Sequence, residues 1–361
     1  MNAIKTLQSH GQSIWLDFIS RSLLDSGELK RLVDEGVTGV TSNPSIFQKS
    51  ICETHDYDSI VESARKNQSE VDVPALYEKM AIEDIQRACD VLRPVYDSTN
   101  GADGFVSFEV SPRLAYYTSV TVSEAERLWK LVNRPNLMIK VPATKDGIPA
   151  LEALIAEGIN VNSTLIFSLG HYEGAAQAYI RGLERNPQPS RVASVASFFV
   201  SRIDTAVDKL LEKIGSKQAL ELKGKIAVAS AKMVYRSFNE IFYGKPFDEQ
   251  RARGARVQRL VWGSTGTKNP QYSDVLYVEE IIGPDTINTV PMPTLNAFID
   301  HGQARQSLLE DVDEAEKAIA SLKKHNINLD TVTDQLQKEG VQAFSRAYDQ
   351  LLESLEGRCK L

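Results

Sequence analysis

Leu137-Met138-Ile139-Lys140-Val141-Pro142 is a short apolar run interrupted by one lysine. Its brevity, its branched residues and its closing proline read as a strand, and a lysine is rarely set among such neighbours without a reason. Successive strand side chains face opposite sides. Ile139 and Val141 therefore share one face, and Met138 and Lys140 the other. Taken alone, Lys140 is equally well a strand-end lysine reaching water along its apolar stem.

Outward from this run, short β-rich segments alternate with longer helical patterns, which points to parallel strands joined by helices. Strand ends are expected near Asp17, Asn43, Glu109, Lys140, Thr164, Ser197, Gly263 and Val290. Apolar residues at three- and four-residue spacing place helices over 27–35, 73–92, 123–132, 147–157, 170–185 and 201–214. The fold class expected is α/β, a (β/α)8 TIM barrel with additional helices. A single barrel domain is expected over 1–361, with strands within about 13–291 and C-terminal helices over 295–361 packed on the barrel. Intervals 45–104 and 201–259 exceed one helix each and require extra ones, and 295–321 and 330–355 read as helices beyond the last strand.

Active sites of such barrels sit at the C-terminal strand ends. If Ile14 and Leu16 pack on helices, Trp15 and Asp17 point inward. The same alternation turns Phe105, Ser107, Glu109, Met138 and Lys140 inward, opposite Val106, Phe108, Ile139 and Val141. It also turns Thr41, Asn43, Asn160, Asn162, Thr164 and Ser197 inward. A lone strand-end acid is usually a helix cap, and Asn43 before Pro44 is usually a turn. Six strand ends with one parity make a site the better account.

Composition bounds what that site serves. The chain has 361 residues, 42% hydrophobic and 25% charged, with a net charge of −7 and no basic cluster, which disfavours nucleic acid. No apolar run is long enough for a membrane span, and nothing near Met1-Asn2-Ala3 reads as an export signal. Cys52, Cys89 and Cys359 lack metal or disulfide spacing, so a cytoplasmic protein with reduced thiols is expected. His10, His55, His171, His301 and His325 form no ligand pair, and no Gly-x-Gly-x-x-Gly follows a strand, so neither metal nor cofactor is expected. Gly263-Ser264-Thr265-Gly266-Thr267-Lys268 lacks a nucleotide loop's ending. It reads either as an ordinary turn or as a loop offering amides and Lys268 to a phosphate.

A neutral lysine amine attacks a ketone, loses water and leaves an iminium ion that draws electrons from the neighbouring carbon bond, which is aldol cleavage without metal. Desolvation supplies the neutral amine. Asp17 and Glu109 on the same floor oppose this. Both are therefore expected to be separated from Lys140 by a water or hydroxyl, with at least one only partly ionised.

Trp15-Leu16-Asp17, Thr41-Ser42-Asn43-Pro44-Ser45, Phe108-Glu109-Val110, Ile139-Lys140-Val141-Pro142-Ala143-Thr144, the run 158–168 and Ser197-Phe198-Phe199-Val200-Ser201-Arg202 together resemble the transaldolase motifs, in that family's order. The similarity runs from the first strand to at least Pro291, and 45–104 and 269–285 resemble a longer bacterial branch of this class I, Schiff-base aldolase superfamily. The resemblance implies a Schiff base between Lys140 and a ketose phosphate, with Asp17 taking the C4 hydroxyl proton. It also implies that Glu109 and Thr164 hold the water of imine formation, and that Asn43, Asn162 and Ser197 bind the dihydroxyacetone hydroxyls. Arg202 and Lys268 would hold the phosphate, and Thr41 and Phe199 would line the pocket. Lys268 stands where better-studied members carry arginine. Fructose-6-phosphate-type aldolases typically have glutamine for Glu109 and tyrosine near Phe199, so these two residues favour transfer over release. A non-catalytic sugar-phosphate-binding barrel would show a broken catalytic position, and none is visible. Sugar phosphates are the expected partners, with monomer and homodimer both open.

Overall fold

Every strand is short and buried along its whole length or nearly so, as strands covered on both faces must be. In the computed structural model, which describes residues 3–67 and 71–360, they are β1 (Gln12–Leu16), β2 (Val37–Thr41), β3 (Val106–Glu109), β4 (Leu137–Pro142), β5 (Val161–Ile166), β6 (Ser194–Phe199), β7 (Arg259–Gly263) and β8 (Thr286–Val290). They pair in parallel in sequence order, and β8 pairs with β1 to close the barrel. Met1, Asn2 and Leu361, on which the expected N-terminus and domain ends partly rest, lie outside the described residues.

Among the connecting and flanking helices are α1 (Glu28–Glu35), α2 (Pro44–Cys52), α3 (Val73–Ser98), α4 (Thr118–Val132), α5 (Gly147–Ala156), α6 (Leu169–Arg185), α7 (Ser201–Ile214), α8 (Ile226–Phe242), α9 (Met292–His301), α10 (Val312–Leu322) and α11 (Leu329–Lys360). Three depart from the periodicity. α3 continues through Pro94, which removes one backbone donor without ending the helix. α4 starts at Thr118, because its β-branched first turn, weakly helical by propensity, continues the pattern of Ala125 and Leu128 through buried Thr121. The helix expected over 295–321 is two, α9 and α10, separated by extended Gly302 and by Asp311 at φ +48°.

The expected alternation holds. Ile14, Leu16, Val106, Phe108, Ile139 and Val141 pack outward with the helices, while Trp15, Phe105, Met138, Val195, Val261 and Ile287 form a separate cluster filling the lower barrel. Trp15 lies across β2 at Gly39, where an added Cβ would sit 2.5 Å from the indole. Beneath it, buried Asp103 accepts from Trp15 Nε1 at 2.8 Å, from Thr38 Oγ1 at 3.0 Å and from the Ser13 hydroxyl, with Arg259 Nη1 at 3.4 Å. This plug closes the lower end, and the polar side chains that line a cavity do so at the C-terminal mouth. Asn160, although inward by parity, is spent near the start of β5: it donates to the Pro135 and Leu137 carbonyls and accepts from Ala193 N–H.

Candidate active site

Strand ends β1, β2, β4, β6, β7 and β8 surround a cavity of about 290 Å³ at the barrel mouth. Asp17, Thr41, Asn43, Lys140, Ser197, Phe199, Arg202 and Lys268 line it, so eight expected residues meet in one space. Glu109, Asn162 and Thr164 lie in the buried floor on the strands flanking β4.

Lys140 is 3% exposed, and its Nζ donates to the Ser42 carbonyl at 3.1 Å. Glu109 Oε2 stands 3.6 Å from that nitrogen, an electrostatic contact longer than a hydrogen bond. This corrects the expectation that a water or hydroxyl separates Glu109 from the lysine. Glu109 and Lys140 are direct partners in the β3–β4 register, so inward parity makes them neighbours in one layer.

Glu109 is only partly ionised near neutrality, as expected. Burial is the main cause that pushes its pKa up to about 7; Lys140 pulls it down and Asp17 pushes it up. Neither Glu109 oxygen has a hydrogen-bond partner in the protein, and Thr164 Oγ1 on the other side of β4 lacks one too. These buried atoms thus lack the partners that buried polar groups ordinarily have.

Asp17 follows the last residue of β1, and its N–H still donates to Val290 O at 2.8 Å. Its carboxyl opens on the cavity yet is surrounded by protein, and burial raises its pKa against the pull of Lys140, the Thr41 hydrogen bond, Arg202 and Lys268. The Thr41 hydroxyl donates to Asp17 Oδ1 at 2.7 Å and lies 2.6 Å from Thr289 Oγ1. With Asp17 ionised, Thr41 has one hydrogen to give, so Thr289 donates to Thr41.

Asn43 caps α2, its Oδ1 accepting Ile46 N–H at 3.0 Å, which leaves Nδ2 as its remaining polar atom. Ser197 Oγ donates to Asn162 Oδ1 at 2.7 Å, and Asn162 Nδ2 donates to Ser107 Oγ at 3.0 Å. Asn162 thus orients Ser197 from beneath the cavity wall. Half-buried Arg202, in the first turn of α7, lies over the Phe199 ring at 5.4 Å. Burial pushes its pKa down, opposed by Asp17 and Glu339. Lys268 is exposed at the rim. Its loop is anchored from α7: Tyr272 donates to Asp208 at 2.6 Å and Tyr277 to Asp204 at 2.8 Å.

The sequence reading missed Thr289, Gln337 and Phe344. Thr289 shares parity with Ile287 on the last strand, so extending the alternation to β8 finds it. Phe344 lines the cavity from α11, far beyond the last strand, where no local pattern separates it from an ordinary core residue.

The match to known proteins covers nearly the whole chain. Residues 14–355 match the family model described as transaldolase/fructose-6-phosphate aldolase. The chain is 48% identical over 357 residues to a transaldolase of Thiobacillus denitrificans, covering 98% of this chain and 99% of that protein. It is 46% identical to a transaldolase of Mycobacterium ulcerans, covering 98% and 96% respectively. Against a protein named transaldolase 2 of Nostoc punctiforme the identity is 44%, covering 100% and 98%.

Proposed function

The chain belongs to the transaldolase/fructose-6-phosphate aldolase family, and from that premise we propose that it is a transaldolase passing a dihydroxyacetone unit from a ketose phosphate to an aldose phosphate through an imine at Lys140. The observation that carries this reading is a buried lysine amine between two carboxyls, Glu109 and Asp17, both of raised pKa. Glu109, with its pKa pushed up to about 7, can give and take a proton near neutrality.

In this reading the neutral amine attacks C2 of sedoheptulose 7-phosphate or fructose 6-phosphate. Protonated Glu109 gives its proton to the departing hydroxyl, which leaves as water held with Thr164, and the nitrogen lone pair completes the iminium. Ionised Asp17 takes the C4 hydroxyl proton as the C3–C4 bond breaks, and its electrons flow to the iminium. Erythrose 4-phosphate or glyceraldehyde 3-phosphate departs, leaving a dihydroxyacetone enamine. An acceptor aldose phosphate adds at that carbon, and Asp17 returns the proton to the new hydroxyl. Asn43 and Ser197, the latter oriented by Asn162, bind the dihydroxyacetone hydroxyls. Thr41 steadies Asp17, Phe199 walls the cavity, and Arg202 and Lys268 hold the phosphate, one as a planar fork and one as a point charge. We place the reaction in the non-oxidative pentose phosphate pathway of the cytoplasm. Among the described residues, no helix is long and apolar enough to cross a membrane.

Treatment with fructose 6-phosphate and borohydride, followed by digestion, is expected to leave a reduced three-carbon adduct on the Lys140 peptide. A folded protein without it would refute the imine. Transfer is separated from lysis by omitting the acceptor: little sustained dihydroxyacetone should be released, and rapid release would make the protein an aldolase.

A further inference from the structure

Leu165 has a backbone φ of +58°, a left-handed conformation that a bulky side chain keeps only when its surroundings hold it there. The β5–β6 ladder slips at this point, passing from Ser163↔Ala196 to Ile166↔Phe198, so β5 carries one extra residue. That bulge adjoins Thr164, whose hydroxyl is buried without a protein partner and whose carbonyl accepts Ala143 N–H at 2.7 Å. The aim of the Thr164 hydroxyl therefore depends on how the bulge is held.

α11 reaches it from above. Gln337 Nε2 donates to the Ala143 and Leu165 carbonyls, each at 2.9 Å. Both carbonyls only accept, which fixes the orientation of the amide. His171 Nδ1 lies 3.4 Å from the same nitrogen, and His171 Nε2 lies 3.0 Å from Asp334, one turn earlier on α11. At Gly340 an added Cβ would stand 2.9 Å from Leu165 Cδ2 and 3.7 Å from Arg202 Nη1. Phe344, a further turn along this face, lines the cavity with Asp17 and Lys140.

We propose that Gln337 is a positioning residue: it clamps the ends of β4 and β5, holds Leu165 left-handed and so keeps the Thr164 hydroxyl beside the water that enters and leaves during imine formation. This role rests on the Lys140 chemistry above. Gln337 does not touch the sugar. Losing it slows carbinolamine dehydration, in which the C–O bond breaks, Glu109 gives its proton to the departing hydroxyl, and the nitrogen lone pair forms C=N. Phosphate binding is spared, because Arg202 and Lys268 come from α7 and from the loop after β7.

Gln337→Met keeps the length of the side chain and removes the donor. Samples mixed with fructose 6-phosphate and quenched with borohydride at timed intervals report the rate of adduct formation at Lys140. The expected result is a rate lower by ~10-fold or more, as for impaired proton handling, with KM changed less than about 2-fold. Adding Leu165→Gly to that variant should recover part of the rate, since glycine adopts the left-handed conformation freely. If Gln337→Met does not fold, Gln337→Glu decides: protonated it donates to a carbonyl, ionised it repels both. Its rate relative to the parent should fall as pH rises, and a constant ratio would overturn the role. Parental adduct rates in a folded Gln337→Met protein would overturn it as well. A parent that gives no adduct at Lys140 refutes the imine reading itself, a separate outcome.

Discussion

Glu109 in the folded protein holds a proton that the unfolded chain releases well below neutrality. Its pKa rises from an ordinary carboxyl value to about 7, chiefly through burial. Between the two values the native state binds more protons than the unfolded state, so this group's contribution to stability falls as pH rises from the unfolded pKa to the folded one. Glu109→Gln removes the effect. The melting temperature of the variant minus that of the parent should therefore become more positive from pH 5 to pH 8 by scanning calorimetry, and a flat difference would contradict the assignment. The same variant should lose kcat by roughly 100-fold, the usual scale for a displaced general acid or base. Lys140, Asp17 and Glu109 were legible in sequence because charge at a strand end within an apolar run is conspicuous. The 3.6 Å contact between Lys140 and Glu109 was not, since it depends on the β3–β4 register.

Among the elements, the loop after β7 carries Lys268 but is itself held by α7. Tyr272 donates to Asp208, and Tyr277 donates to Asp204, whose pKa burial pushes up to about 6. Tyr272→Phe removes the anchor nearer to Lys268 and leaves the floor intact. Its KM for fructose 6-phosphate should rise several-fold while kcat changes less than about 2-fold, the pattern of lost uniform binding. Steady-state kinetics would show this, and an equal fall in kcat would place the loop's role in the chemical step. Sequence gave the position of the loop from Gly263 and Gly266, but its anchors lie over 60 residues away on a helix surface. The break between α9 and α10 escaped for a related reason. Apolar periodicity continues across 295–321, and the turn is set by Gly302 and by left-handed Asp311.

Across the whole molecule, stability and chemistry sit at opposite ends of the barrel. Asp103 joins Ser13, Trp15, Thr38 and Arg259 at the lower end, and none of these lines the cavity. Asp103→Ala should lower unfolding stability by about 3 kcal/mol or more, because it strands several buried donors, while kcat at low temperature stays near that of the parent. Chemical denaturation and steady-state assays test both halves. Raised pKa values at Asp17, Glu109 and Asp204 favour the native state at mildly acidic pH, whereas half-buried acids held down by arginine, such as Glu28 and Glu152, favour it above the carboxyl range. The melting temperature should therefore peak at about pH 5–6, and a maximum above about 8 would show that the buried carboxyls are not protonated in the folded state. The sequence by itself determined the alternation of strands and helices, the inward parity and the reactive lysine, because each is written in residues a few positions apart. Only the tertiary structure decided which floor groups touch, how Thr289 joins the Thr41–Asp17 chain, and that α11 returns to clamp Leu165 and wall the cavity with Phe344. Those contacts join segments far apart in the chain, and local pattern carries no record of where a distant helix comes to rest.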